Sequence, residues 1–169
     1  MATATINYAS TGTAITITMT SLADGGYRES AAVTNATNKY LDALVGGSIQ
    51  VGAVAADGTI EIYAYASADG GTTYSGGLAG TNETITWGTT PATSSVNGVS
   101  QLVLLGVLDV DTTDDNNDIE FGPYSIAAAF GGVLPEDWGL VVGNSTGTAF
   151  HATGTNNGLH YSGIKYDSA

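Results

Sequence analysis

The chain has 169 residues, with 16 Asp and Glu against three Lys and Arg, no cysteine and a formal net charge of −13. Such a charge argues against binding to nucleic acid or to an anionic membrane, because both kinds of binding depend on clustered Lys and Arg. The absence of cysteine excludes disulfides, thiolate nucleophiles and sulfur-ligated metals. The length fits one domain with a core held by apolar packing and hydrogen bonds.

The first residues, MATATI, show no basic stretch followed by an apolar run, so we predict no secretory signal. No segment reaches the roughly 20 apolar residues that span a bilayer, and we expect a soluble protein. Residues 1–12 are interpreted as an extended N-terminal arm preceding the folded part.

Polar and apolar residues alternate with a period of two in several segments, which predicts half-buried β-strands. The pattern is clearest in residues 13–20 (TAITITMT) and 59–65 (TIEIYAY). It returns in Thr84–Trp87, in Leu140–Val142 and in residues 159–166.

Two other segments contain residues at helical spacing. Residues 38–51 are interrupted by Gly46 and Gly47, which favours one long strand with a bulge over a helix. The residues between Pro123 and Gly131 include three consecutive alanines, but leave room for only a turn or two of helix.

Turn signals such as Asp57-Gly58 and Asn97-Gly98 recur at short intervals along the chain. Short strands at this spacing are typical of a sandwich or a jelly roll. The sequence therefore predicts an all-β fold, a single-domain antiparallel β-sandwich that is jelly-roll-like and spans residues 1–169.

Residues 67–74 read SADGGTTY and match the pattern S-x-D-x-G-x-T-[WY] at Ser67, Asp69, Gly71, Thr73 and Tyr74. This segment resembles the Asp-box of sialidases and related β-proteins. The resemblance implies a structural hairpin in which the Asp and Thr side chains hold backbone groups and the aromatic ring packs beneath the turn. A sialidase would also need an arginine cluster for its substrate carboxylate, and this chain has one arginine.

The densest carboxylate run lies in residues 109–120. Five oxygen-bearing residues stand at positions 1, 3, 7, 9 and 12 of an EF-hand loop: Asp109, Asp111, Asp115, Asn117 and Glu120. Position 6, where that loop needs glycine, is Asp114, and the flanking residues have the pattern of strands. Two interpretations stay open, a Ca²⁺ site and a solvated acidic loop. No other cofactor is expected.

Residues 121–139 interleave aromatic, small and proline residues with few charges. One interpretation is a corner of the core anchored by Trp138. The other is a protein-protein contact, since aromatic residues are enriched and charges depleted at the centre of interfaces. The candidate interface residues are Phe130, Leu134, Pro135 and Trp138.

This stretch, continued through residues 143–147 and 161–164, resembles the C-terminal half of small structural proteins in tailed bacteriophage particles. Residues 30–35, 40–45 and 62–71 are similar to the first half of the same group. The resemblance implies a β-sandwich subunit of the virion, either a decoration (cement) protein on the capsid or an accessory tail protein. It also implies a homo-oligomer, commonly a trimer, with the major capsid protein or tail proteins as partners, and it supplies no active-site residues.

The sequence thus leads to the hypothesis of a non-enzymatic subunit that docks on the capsid and stabilises it. We expect it in the host cytoplasm before assembly and on the outer surface of the virion afterwards. The alternative is a tail-associated or host-recognition module that binds carbohydrate, because nine tyrosines and two tryptophans offer rings on which sugars stack. A glycosidase using two carboxylates is a more distant third hypothesis.

Overall fold

Eleven strands and one short helix follow one another in the computed structural model, which describes residues 4–87, 98–154 and 156–168. The front sheet contains β1 (Ala4–Tyr8), β2 (Thr13–Ile15), β5 (Asp42–Gln50), β9 (Asp118–Ser125) and β11 (Gly158–Ser168). The back sheet contains β3 (Tyr27–Glu29), β4 (Val33–Thr34), β6 (Gly58–Ser67), β7 (Thr84–Ile85), β8 (Val103–Val110) and β10 (Asp137–Ser145). The helix α1 (Ile126–Ala129) follows β9 directly.

The order of the strands is that of a jelly roll. The front sheet runs β1-β11-β5-β9 with β2 also on β11, and the back sheet runs β7-β3-β10-β6-β8 with β4 also on β10. All pairs are antiparallel, and one set of them is nested: β1 and β2 pair with β11, β3 with β10, β5 with β9, and β6 with β8. These nested pairs would form one long antiparallel double strand. Pairing of β11 with β5 and of β10 with β6 folds this double strand into the two sheets of a jelly roll. The predicted fold class is confirmed.

The core lies between the two sheets and is built by the alternation seen in the sequence. In β6 the side chains of Ile60, Ile62 and Ala64 are fully buried, while Glu61 and Tyr63 between them are partly exposed. Residues of β5, β10 and β11 complete the same apolar cluster. A second, smaller apolar cluster covers the outer side of the back sheet, where Tyr65, Val141, Leu78, Ile85 and Leu102 pack together.

One predicted boundary is wrong. The strand expected over residues 13–20 ends at Ile15, because the chain then crosses to the back sheet, where Thr16 O accepts from Ala31 N and Thr18 N donates to Asn82. Within residues 1–12, where we predicted an extended arm, Ala4–Tyr8 form β1 and pair with β11 at the edge of the front sheet.

Two other predictions are confirmed. Strand β5 carries a bulge between Val45 and Gly47, and α1 is one short turn of helix. Within the described ranges, no helix has both the length and the apolar character needed to cross a membrane.

Candidate docking surface

The two segments that the sequence singled out separately, the turn after β6 and the loop before β10, lie side by side. Strands β6 and β10 pair in a register that places Asp137 opposite Ser67 and Trp138 opposite Ala66. A depression of about 460 Å³ lies between the turn and the loop. Its lining is mostly apolar and includes Ala66, Ala68, Phe130, Val133, Leu134 and Pro135. We call it the docking depression.

The turn on one side of the docking depression is held by the side chain of Asp69. Its carboxylate accepts hydrogen bonds from Ser67 Oγ (2.7 Å), Thr73 N (2.8 Å) and Thr73 Oγ1 (2.7 Å). Ser67 Oγ in turn accepts from Gly71 N at 2.9 Å. The hydrogen bonds from Ser67 and Thr73 lower the pKa of Asp69 to about 2. The carboxylate is therefore ionised at neutral pH, where it can accept all three hydrogen bonds that hold the turn.

The ring of Tyr74 packs beneath the turn. It lies edge-to-face on Tyr65, with ring centroids 5.4 Å apart, and the hydroxyl of Tyr65 donates to Ser30 O at 2.7 Å. Burial raises the pKa of both tyrosines. The prediction of a hairpin is wrong in one respect: a 3-10 turn, Ser75–Gly77, follows Tyr74 instead of a strand. Strand β6 already has β10 and β8 on its two edges, so no returning strand can pair with it.

The opposite wall is the loop between α1 and β10. Val133 is 72% exposed, and Pro135 and Phe130 are half-buried beside it. The helix α1 that precedes this loop is held at its first turn by Asp42, whose carboxylate accepts from Ser125 Oγ (2.7 Å) and from Ala127 N (2.8 Å). An exposed apolar side chain on an anchored loop is the kind of group that binds a partner with little loss of conformational entropy.

Two of the predicted interface residues belong to the core. Trp138 is 1% exposed and Leu134 is 7% exposed, because both side chains point between the sheets. The core interpretation of Trp138 is therefore correct. Phe130 and Pro135 remain candidate contact residues, and the exposed Val133 lies beside them. Sequence reasoning missed Val133 as an individual residue. The signal was an apolar residue between Gly131-Gly132 and Pro135, where a loop leaves side chains uncovered.

The calcium prediction is contradicted by the positions of its residues. Asp109 lies in β8 of the back sheet and Glu120 in β9 of the front sheet, where they pair with Thr59 and Ser48. Asp111 is instead used as a cap, accepting from Thr113 N at 2.7 Å and Thr113 Oγ1 at 2.6 Å.

The remaining members of the acidic loop also have protein partners. Asp115 accepts from Asn116 Nδ2 at 3.0 Å, and Asn117 Nδ2 donates to Thr113 O at 2.9 Å. Across the described ranges, no group of three or more His, Asp or Glu side chains is placed to hold a metal ion. The segment is an acidic turn closed by its own hydrogen bonds.

The two histidines have different surroundings. His151 Nδ1 lies 2.9 Å from Thr153 Oγ1, and the backbone N of His151 donates to Gln50 O at the end of β5. His160 is exposed on the outer face of β11. The guanidinium of Arg28 is bound to neutral groups, the side chain and carbonyl of Asn82 and Thr84 Oγ1.

Comparison with protein-family models, with curated proteins and with solved structures finds no match to this chain. Among the sites that the sequence predicted, the docking depression is the place where the structure brings several of those residues together: Ser67 from the turn, and Phe130, Leu134 and Pro135 from the loop.

Proposed function

We propose that this chain is a non-enzymatic structural subunit of a tailed-bacteriophage particle, and that it docks on the major capsid protein as a decoration or cement subunit. The observation that carries the docking is the apolar depression between the Asp69 turn and the Val133 loop. The particle is suggested by the resemblance of residues 20–166 to small virion proteins. The jelly-roll order of the strands supports it, since this fold recurs in capsid proteins.

The depression suits a rigid docking site. One wall is held by the hydrogen bonds of Asp69, and the other begins with a hydrogen bond from Gly132 N to Ala127 O (2.7 Å), so little ordering is needed when a partner binds. Val133 presents apolar surface, and its burial would contribute about 25 cal/mol for each Å² removed from water. An apolar side chain of the capsid protein that enters the depression would form the centre of the contact.

The charge of the chain specifies the surroundings of that contact. A subunit with a net charge of −13 meets a basic surface favourably and another acidic surface unfavourably. We therefore propose basic capsid residues around the rim. Several copies arranged as a homo-oligomer would bind with higher total affinity than one copy. The location follows as the outer surface of the capsid.

The direct test is binding of the purified protein to capsids that lack it. The wild type is expected to co-sediment with such capsids and to raise their disruption temperature. Val133→Asp places a charge in the apolar contact and should reduce binding at least tenfold. Raising the salt concentration should weaken wild-type binding, because exposed charges are screened.

The matched control is Leu104→Asp, which adds the same charge at an apolar residue that is 52% exposed on β8, away from the docking depression. It should bind capsids as the wild type does. Equal loss of binding by both variants would show that added charge, and not the depression, is responsible. Binding to tails and not to capsids would overturn the capsid location.

One observation favours carbohydrate binding as a second candidate. On the outer side of the back sheet, the hydroxyls of Tyr27 and Tyr63 both donate to Glu61 Oε2, at 3.1 and 2.9 Å, and Tyr27 lies edge-to-face on Trp87. Aromatic rings beside a carboxylate are groups that sugars contact through stacking and hydrogen bonds. A glycan array separates the two functions: binding by the wild type that is lost in Glu61→Gln would favour the carbohydrate function.

A further inference from the structure

The strand pair made by β1 and the last part of β11 has side chains with nothing packed on them. All five residues of β1 are exposed. Ile6, Tyr8 and Tyr166 are 69%, 60% and 61% exposed. A two-stranded ribbon is marginally stable in water unless a face of it is covered. We call this strand pair, residues 4–8 with 164–168, the β1–β11 ribbon.

The apolar side chains of the ribbon lie on one face. Ile6 is opposite Tyr166 in the antiparallel register, and Tyr8 is opposite Ile164. Directly opposed residues point to the same side of a sheet, so these four side chains form a continuous apolar strip.

The other face of the ribbon is polar. Lys165 Nζ lies 3.0 Å from Asp167 Oδ1, and Asn7 Nδ2 donates to Asp167 Oδ2 at 3.0 Å. The ribbon is thus amphipathic, and its two ionic side chains form an ion pair with no net charge.

Side-chain polarity reverses along β11. Within the sandwich, Leu159 and Tyr161 are buried in the core and His160 between them is exposed on the outer face. Because alternation continues along the strand, Tyr166 lies on the outer face with His160, while Lys165 lies on the inner side. The outer face of this strand therefore becomes apolar where the ribbon begins. Apolar side chains on an outer face are unfavourable in water, but they are favourable where a partner covers that face.

A groove of about 600 Å³ adjoins the ribbon on the same outer face of the front sheet. Tyr8 lies at its border with the ribbon, and Leu44, Pro123 and His160 line it. None of its lining residues is Asp, Glu, Lys or Arg, although the chain contains 16 carboxylates.

The floor of the groove contains three glycines, which have no side chains to fill it: Gly46, Gly47 and Gly122. Gly122 has φ +89, and a Cβ atom there would lie 2.5 Å from Val45 O. A Cβ on Gly46 would lie 2.8 Å from Phe121 O. Close approach of the backbones at the β5 bulge therefore requires glycine, and the absence of side chains leaves a concave surface beside the exposed ribbon.

We propose that the ribbon and the groove together form a self-association surface, in which the apolar strip of one copy lies in the groove of a second copy and the reverse. The apolar strip and the groove lie on one surface, so two copies related by a two-fold axis can each supply both parts, and the closed product is a dimer instead of the trimer that the resemblance implies. The charge of the chain indicates that the partner is a second copy. Two subunits that each carry a net charge of −13 repel each other through most of their surface, and an uncharged contact avoids that repulsion. A basic partner would find no carboxylate in the groove to pair with. The inference does not depend on the virion assignment or on the docking depression.

Sedimentation velocity over a wide concentration range, at moderate salt, tests the proposal with the intact chain. The wild type should show a concentration-dependent shift from monomer to a closed oligomer. Ile6→Lys changes the ribbon and His160→Asp changes the groove, each at an exposed position that leaves the core intact. Each variant alone should raise the dissociation constant at least about tenfold. An equal mixture of the two variants should recover association. In the mixed pair, one contact joins a wild-type ribbon to a wild-type groove, and the other places Lys at position 6 of one copy against Asp at position 160 of the other.

Val133→Asp is the control, since it alters the docking depression and should associate as the wild type does. A wild type that stays monomeric at all concentrations would overturn the proposal. Normal association of His160→Asp would overturn it as well, because pairing of two β1 edges would not involve the groove. Loss of capsid binding in Val133→Asp with unchanged self-association would show that the two surfaces act separately.

Discussion

Trp138 of the back sheet and Tyr161 of the front sheet pack edge-to-face across the sandwich, with ring centroids 5.5 Å apart and an interplanar angle of 86°. Trp138 is 1% exposed and Tyr161 is 8% exposed, so the pair is part of the contact that holds the two sheets together. Aromatic pairs in this geometry contribute about 0.5–1.5 kcal/mol beyond the burial of their surface.

Replacement of Trp138 should therefore be among the most destabilising changes in the chain. We expect Trp138→Ala to lower the free energy of unfolding by about 3–5 kcal/mol, because it removes the largest buried ring and leaves a cavity. Trp138→Phe should cost less, since a ring remains to meet Tyr161. Urea unfolding measures both. Val133→Ala serves as the control, with an expected change within about 0.5 kcal/mol. A loss of less than about 3 kcal/mol in Trp138→Ala would contradict the burial of the Trp138 ring between the sheets.

Glu29 is a second buried group whose replacement is informative. It is 2% exposed, and its carboxylate accepts hydrogen bonds from three successive backbone N–H groups, those of Ala79 (3.2 Å), Gly80 (3.2 Å) and Thr81 (3.4 Å). Glu29→Gln replaces one carboxylate oxygen with an NH₂ group, which is a donor and cannot accept hydrogen bonds from these N–H groups. We expect a loss of about 1–3 kcal/mol in the free energy of unfolding.

The control for Glu29 is Glu83→Gln, which removes the same charge from an exposed side chain in a neighbouring segment. It should change stability by less than about 0.5 kcal/mol. Similar losses in the two variants would mean that net charge, and not the hydrogen bonds of Glu29, determines the effect. No sequence pattern points to Glu29, since its partners come from a loop that follows much later in the chain.

Local chemistry explains which parts of the structure were predictable. The alternation of residues 59–65 fixes which side chains of β6 face the core, and the spacing of Ser67, Asp69 and Thr73 fixes the turn, because these interactions lie within a few residues. The adjacency of that turn to the Val133 loop depends on the pairing of β6 with β10. That register joins segments far apart in sequence and has no local signal.

The calcium hypothesis failed for the same reason. Spacing along the chain suggested a ligand loop, but Asp109 and Glu120 enter different sheets. The structure predicts that Ca²⁺ and Mg²⁺ at equal concentration change the melting temperature equally, because each acts by screening the charge of −13. Differential scanning calorimetry with each ion checks this. A rise specific to Ca²⁺ that disappears in Glu120→Gln would restore the metal site.

The stability of the Asp69 turn should depend on pH in a defined direction. The hydrogen bonds from Ser67 and Thr73 hold the pKa of Asp69 at about 2, below its ordinary value of 3.8. Above pH 3.8 the carboxylate is ionised in both the folded and the unfolded chain, and the folded state has the full benefit of these hydrogen bonds. As the pH falls, the unfolded chain binds the proton first, so the benefit decreases from pH 3.8 and is lost as the pH passes through about 2.

The variant Asp69→Asn isolates this effect, because the amide cannot accept the same set of hydrogen bonds and does not titrate. We expect the wild type to be more stable than Asp69→Asn at pH 6, and the difference in unfolding midpoint to shrink between pH 4 and pH 2. Asp57→Asn, which removes an exposed carboxylate elsewhere, corrects for the general effect of net charge. A difference between wild type and Asp69→Asn that stays constant over this pH range would show that the ionised carboxylate does not hold the turn. In that case the wall of the docking depression would depend on the hydrogen bond from Gly71 N to Ser67 Oγ and on packing of Tyr74 against Tyr65.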